Sequence, residues 1–194
     1  MFRRQASTSD QQLPSPPADP VRSLDRSKVP QRFIKMLDDV TLSEQRWRLV
    51  LAQVKPGPLE QRLRVLSSQI VAGVLEMYAV MVRVGEMDQV IAALDPEDAV
   101  ADYKAARRRQ AEGQEVAEMD SLQARFGSVQ RLLNVVADAQ DQLTVLEARL
   151  LAAAAAGAEL AITADDRGLT STGQDLELVL TELGALRRAL TTLG

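Results

Sequence analysis

Residues Leu59–Leu94 read LEQRLRVLSSQIVAGVLEMYAVMVRVGEMDQVIAAL. Within them Leu59, Leu63, Leu66, Ile70, Gly73, Met77, Val80, Val84, Met87, Ile91 and Leu94 follow one another in steps of four and three, and only Gly73 interrupts the apolar series. A period of 3.5 marks helices packed side by side. The middle of the stretch is apolar on a second face as well, through Val71, Val74, Tyr78 and Met81. Such a helix must be covered from more than one side, which favours a bundle over a two-stranded coil. The most apolar run, Ile70 to Val84, contains Glu76 and Arg83. A membrane span takes about 20 largely uncharged residues, so the run is read as a buried helix centre and no transmembrane segment is expected.

The same spacing appears on three further segments. A helix over 30–54 carries Phe33, Leu37, Val40, Glu44, Trp47, Leu51 and Val54, with Pro30 in the first turn and Pro56-Gly57-Pro58 as the stop. A helix over 114–162 carries Met119, Leu122, Phe126, Val129, Leu133, Val136, Ala139, Leu143, Leu146, Leu150, Ala153, Gly157 and Leu160. Its two close steps of three predict a change of winding near residue 140. A helix over 172–193 carries Leu176, Val179, Leu183, Leu186, Leu190 and Leu193, opened by a capping box of Thr172 and Asp175 after a loop at 163–173. Between the second and third seams, Asp95-Pro96-Glu97-Asp98 predicts a capped helix start and a thinner helix over 96–112. Gly113 reads as a break, with one continuous helix as the alternative.

Residues 1–29 hold Pro14, Pro16, Pro17 and Pro20 among polar residues and read as a disordered tail; a P-x-x-P docking segment is the functional alternative. Residues 30–194 form one domain. The expected fold class is all-α, an elongated antiparallel bundle with coiled-coil-like seams. Four helices should meet around Trp47, Ile70, Leu150 and Leu186, with a thinner stalk at the opposite end.

Composition excludes much chemistry. The 194 residues include no histidine and no cysteine. Disulfides, thiolate nucleophiles, nitrogen- or sulfur-ligated zinc and histidine acid–base catalysis are therefore out of reach. A carboxylate di-iron bundle also needs histidines on its helices. No catalytic, cofactor-binding or metal-binding residue is assigned. The acidic pairs Asp98/Asp102 and Asp138/Asp141 have the spacing of magnesium ligands but fit helix-start and solvated-face roles better. Met77, Met81 and Met87 fit core packing. Residues 1–30 and 31–57 each carry a net charge of +2, whereas 58–95, 114–163 and 164–194 carry −2, −4 and −2. An acidic majority argues against nucleic acid as partner.

These features predict a non-enzymatic, cytoplasmic interaction protein, a scaffold, adaptor or complex subunit acting through apolar helix faces. Abundant alanine and arginine over lysine suggest a GC-rich bacterial genome. A peripheral membrane protein using the basic N-terminal segments, and a small-molecule-binding bundle, are the alternatives. Val84, Met87 and Ile91 with Met119, Leu122 and Phe126 form the candidate interface, for self-association or another helical protein. Lys104, Arg107, Arg108 and Arg109 form the candidate contact for an anion or partner. Glu44 has two readings: a buried polar residue that sets register, or an exposed one on a rotated helix.

Overall fold

The computed structural model describes residues 19–163 and 166–192. Five α-helices are packed against one another, with no strand among the described residues: α1 Ile34–Gln53, α2 Pro58–Ala93, α3 Pro96–Ala111, α4 Met119–Thr163 and α5 Asp166–Thr192. Helices α2 and α4 form the spine. Each packs against α1 on one side and α5 on the other. Asp88 of α2 pairs with Arg32 just ahead of α1, so these two helices are antiparallel. Arg149 of α4 pairs with Glu182 of α5 (2.6 Å), giving a second antiparallel pair. Arg187 of α5 reaches Glu76 of α2 (3.2 Å), and Arg83 of α2 donates to the Leu190 carbonyl (3.3 Å). Residue numbers rise together on α2 and α5, so those two run parallel.

The seams face inward as their period requires. Leu63, Leu66, Ile70, Met77, Val80 and Val84 of α2 are buried, as are Leu143, Leu146 and Leu150 of α4 and Leu176, Val179 and Leu183 of α5. Met77, Met81 and Met87 are core residues. α2 has the length and hydropathy to cross a membrane; here its seam is covered by the other helices. α4 is α-helical without interruption from Met119, and residues 114–118, expected as its first turn, are instead the connection from α3.

Two glycines inside the seams are seats for large side chains. A Cβ on Gly157 would stand 2.7 Å from Trp47 Cζ3, and one on Gly73 would stand 3.0 Å from Leu150 Cδ1. Trp47, Leu66, Gly157 and Gly173 thus bring α1, α2, α4 and α5 together at the four-helix end. Gly157→Val should destabilise the fold by about 1–3 kcal/mol through overpacking against the indole, read as a lower midpoint in chemical denaturation. An unchanged midpoint would show that Trp47 can move aside freely.

Three further expectations need correction. The disordered tail does not extend to residue 29. Residues 1–18, with Pro14–Pro17, lie outside the described residues, but 19–33 form a strap across the bundle. Val21, Val29 and Phe33 are buried in the core, Tyr78 Oη donates to the Asp25 carbonyl (3.1 Å), and Pro30 lies against Gly85, where a Cβ would be 2.9 Å from its Cγ. The strap enters α1 through 3₁₀ turns at Arg26–Lys28 and Gln31–Phe33. Secondly, α5 begins at Asp166 rather than 172. Leu169 and Thr172 are buried in step with Leu176, so the seam runs one turn further back than the apolar residues alone announce. Burial of Leu169 outweighs the weak helix propensity of Thr170, Ser171, Thr172 and Gly173. Leu193 lies outside the described residues. Thirdly, Asp95 does not cap α3 with its side chain; it takes a left-handed conformation (φ 47°) that turns the chain out of α2, a conformation Asp tolerates better than most residues.

The break at Gly113 is real. Its φ is 79°; its N–H donates to the Gln110 carbonyl and that of Gln114 to the Arg109 carbonyl. Those two bonds are the Schellman closure of a helix C-terminus, which needs a left-handed residue at that point.

Candidate functional site

The proposed apolar interface divides in two. Val84, Met87 and Ile91 are buried within the chain, in one core with residues of the strap, α1 and α4. They are not available as an interface. Met119, Leu122 and Phe126 are half-buried on α4, in a different setting. Arg125, in the second turn of α4, donates to the Leu94 and Asp95 carbonyls at the end of α2 (2.9 and 3.5 Å). The first turns of α4 therefore lie beyond α2. There α4 is accompanied by α3 alone, since α3 has its substantial contacts with α4 only.

The result is a projecting two-helix hairpin, the stalk that chain order predicts. Ala99 and Ala106 of α3 and Val129 of α4 are buried but lie outside the main core. Asp102 pairs with Arg125 (3.4 Å). Tyr103 stacks on Phe126 with ring centroids 4.6 Å apart and planes 14° apart. Both rings are half-exposed, as are Val100, Met119 and Leu122, and Leu133 is exposed. Met119, Phe126 and Leu133 recur every seven residues along one edge of α4. The sequence marks that stripe but cannot tell which of the seam positions lose their cover.

Lys104, Arg107, Arg108 and Arg109 are all exposed. On α3, Lys104 and Arg108 stand one turn apart on the side opposite the buried Ala99 and Ala106, Arg107 stands one turn on from Tyr103, and Arg109 is set apart. The acidic pairs are dispersed: Asp102 is paired with arginine, Asp138 and Asp141 are exposed, and among the described residues no three acidic groups converge as a metal site.

The second polar cluster was missed as a cluster by sequence reasoning. Glu44, in the α1 seam, is 1% exposed and pairs with Arg48 one turn on, which resolves its two readings in favour of burial. Arg48 also holds the Asp19 carboxylate at the head of the strap (Nη2 to Oδ1 2.6 Å). Only tertiary folding brings Asp19, 29 residues away, to this pair. Hydrogen bonding to Arg48 is the largest cause that lowers the Asp19 pKa to about 2, with the Val21 and Arg22 amides adding to it. A carboxyl depressed in the folded state contributes stability above its unfolded value of 3.8 and loses it as pH falls through about 2. Asp19→Asn should therefore flatten the acid limb of the stability curve between those values. An unchanged limb in acid titration followed by circular dichroism would exclude Asp19 as its source.

Three other N-terminal cations are likewise occupied. Arg26 pairs with Asp38, Arg32 with Asp88 and Lys35 with Asp39. Grooves run between neighbouring helices. One of about 590 Å³ between α4 and α5 is lined by Val145, Leu146, Leu186 and Ala189, with Asp141 and Glu182 among its polar residues. Comparison of the chain with protein-family models, with curated proteins and with solved structures finds no match in any of the three.

Proposed function

We propose that this chain is a non-enzymatic helical interaction protein of the cytoplasm, a scaffold, adaptor or complex subunit whose contact surface is the α3–α4 hairpin. The observation that carries this reading is the half-exposed Tyr103–Phe126 stack on a projection only two helices thick. Aromatic side chains are 3% of the chain, and stacking two of them outside the main core gains little for the fold alone. Rigid, half-buried rings are the usual anchors of protein interfaces. The membrane alternative draws less support, because five of the described cations of the basic N-terminal segments, Arg22, Arg26, Arg32, Lys35 and Arg48, are paired with Asp19, Asp38, Asp39 and Asp88.

The test is affinity purification of the tagged chain from its own cells beside a Phe126→Ser variant whose folding is checked by circular dichroism. Polypeptides recovered stoichiometrically with the parent should fall at least about tenfold with the variant, the scale of an interface anchor. Equal recovery would move the contact surface elsewhere.

A further inference from the structure

We propose that α3 is a flap that opens on its own, and that its opening bares the apolar seam at the start of α4 while the body of the bundle stays folded. Opening is a property of the isolated chain and does not depend on the hairpin being the contact surface.

α3 has little to hold it. Of Pro96–Ala111 only Ala99 and Ala106 are buried, and the larger apolar side chains, Val100 and Tyr103, are half-exposed. A helix of this length is marginal in water by itself and depends on packing. Asp98 and Asp102, and again Lys104 and Arg108, set like charges one turn apart, which weakens the helix further. Its substantial contacts are with α4 only, and Ala99, Ala106 and Val129 lie outside the main core. The core of the body is therefore kept when α3 leaves. Elements with few buried apolar contacts are the ones that open locally.

The ends of the segment permit such an excursion. Arg125 holds the Leu94 and Asp95 carbonyls, so α2 ends beside the second turn of α4. A cation is favoured at that C-terminus, and it fixes the base of the flap in both states. Met119 lies about 9 Å back along α4 from Arg125. Residues 95–118, once α3 has unpacked, bridge that gap without pulling on α2 or α4. The catches are the Tyr103–Phe126 stack, with centroids 4.6 Å apart, and the exposed Asp102–Arg125 pair (3.4 Å). The stack is the stronger catch, since an exposed ion pair contributes little. With α3 in place Val129 is fully buried. With α3 away, Met119, Leu122, Phe126 and Val129 present one apolar stripe in steps of three and four.

The chain contains no cysteine, so one substitution supplies a reporter. The Val129→Cys thiol lies under α3, whereas the Val80→Cys thiol lies in the core of the body, where Val80 is fully buried. Each full-length variant is labelled in native buffer with an excess of a thiol reagent, and amide exchange of the parent chain is read by mass spectrometry. Unchanged midpoints in chemical denaturation verify that neither cysteine disturbs the fold. The Val129→Cys thiol should react at least about a hundredfold faster than the Val80→Cys thiol, and the α3 amides should exchange faster than those at the centre of α2 by a similar factor. Tyr103→Ala removes the stack while raising the helix propensity of α3. It should speed α3 exchange and Val129→Cys labelling at least about fivefold, with Val80→Cys labelling and the main thermal transition unchanged. Equal labelling of the two thiols, with α3 and α2 amides exchanging together, would show that α3 opens only with the body and overturns the proposal. Labelling of Val129→Cys as fast as a free thiol overturns it too, because α3 then has no closed state. Rates left unchanged by Tyr103→Ala overturn the stack as the catch.

Discussion

Leu66→Asp and Leu183→Asp each abolish the cooperative thermal unfolding transition of the chain. Leu66 is 4% exposed and Leu183 is fully buried. Leu66 stands where Trp47, Gly157 and Gly173 converge, so its side chain is enclosed by all four helices of the body. Leu183 is enclosed in the groove between α2 and α4, the two helices against which α5 packs. Removing the leucine sacrifices about 2–5 kcal/mol of burial and packing. Leaving an unpaired charge, or neutralising it by proton uptake, adds several more. The total rivals the whole stability of an ordinary domain, about 5–15 kcal/mol. Leu178→Asp is the matched control: it lies on the same helix but is 46% exposed, and its effect should stay within about 0.5 kcal/mol. If all three variants melt like the parent, the buried seam is misassigned.

Arg48→Met lowers stability by about 2–3 kcal/mol and loosens the strap. Removing one partner of a fully buried ion pair costs about 3–5 kcal/mol because the other charge remains desolvated. Here Glu44 is 1% exposed and Asp19 18%, but Arg48 itself is 36% exposed, so solvent reaches the site and the penalty is discounted. For a chain of this size that corresponds to a fall in Tm of about 4–12 °C. Glu44→Leu placed on top of Arg48→Met should recover most of the loss, because the apolar seam of α1 then closes without a charge. Amide exchange gives a second readout. In Arg48→Met the amides of Val21 and Leu24 should exchange faster than those of α1. Recovery of stability without recovery of strap protection would assign the strap to Asp19–Arg48 and the remaining loss to Glu44. If Arg48→Met matches the parent in both readouts, the cluster does not hold the strap.

Much of the bundle was legible because a helix writes its buried side into sequence at a fixed period. Steps of three and four located α2 and most of α1, α4 and α5, and Pro96 and Gly113 marked the limits of α3, because proline and glycine act locally through φ and the missing N–H. Thr172 was misread for a physical reason: a threonine at a seam position looks like a cap until burial of Leu169 one turn earlier carries the helix past it. What covers what belongs to tertiary structure. Val84, Met87 and Phe126 share one periodicity on their helices, yet the first two are buried in the main core while Phe126 is half-exposed outside it. The strap itself left little periodic trace, since its hold comes from isolated Val21 and Val29, from Pro30 against Gly85 and from Asp19 on Arg48, contacts between residues far apart in the chain. Period and punctuation are local properties and were set by the sequence alone; the exposure of the hairpin and the burial of Glu44 depend on where the ends of α2 and the strap fall in space, which only packing decides.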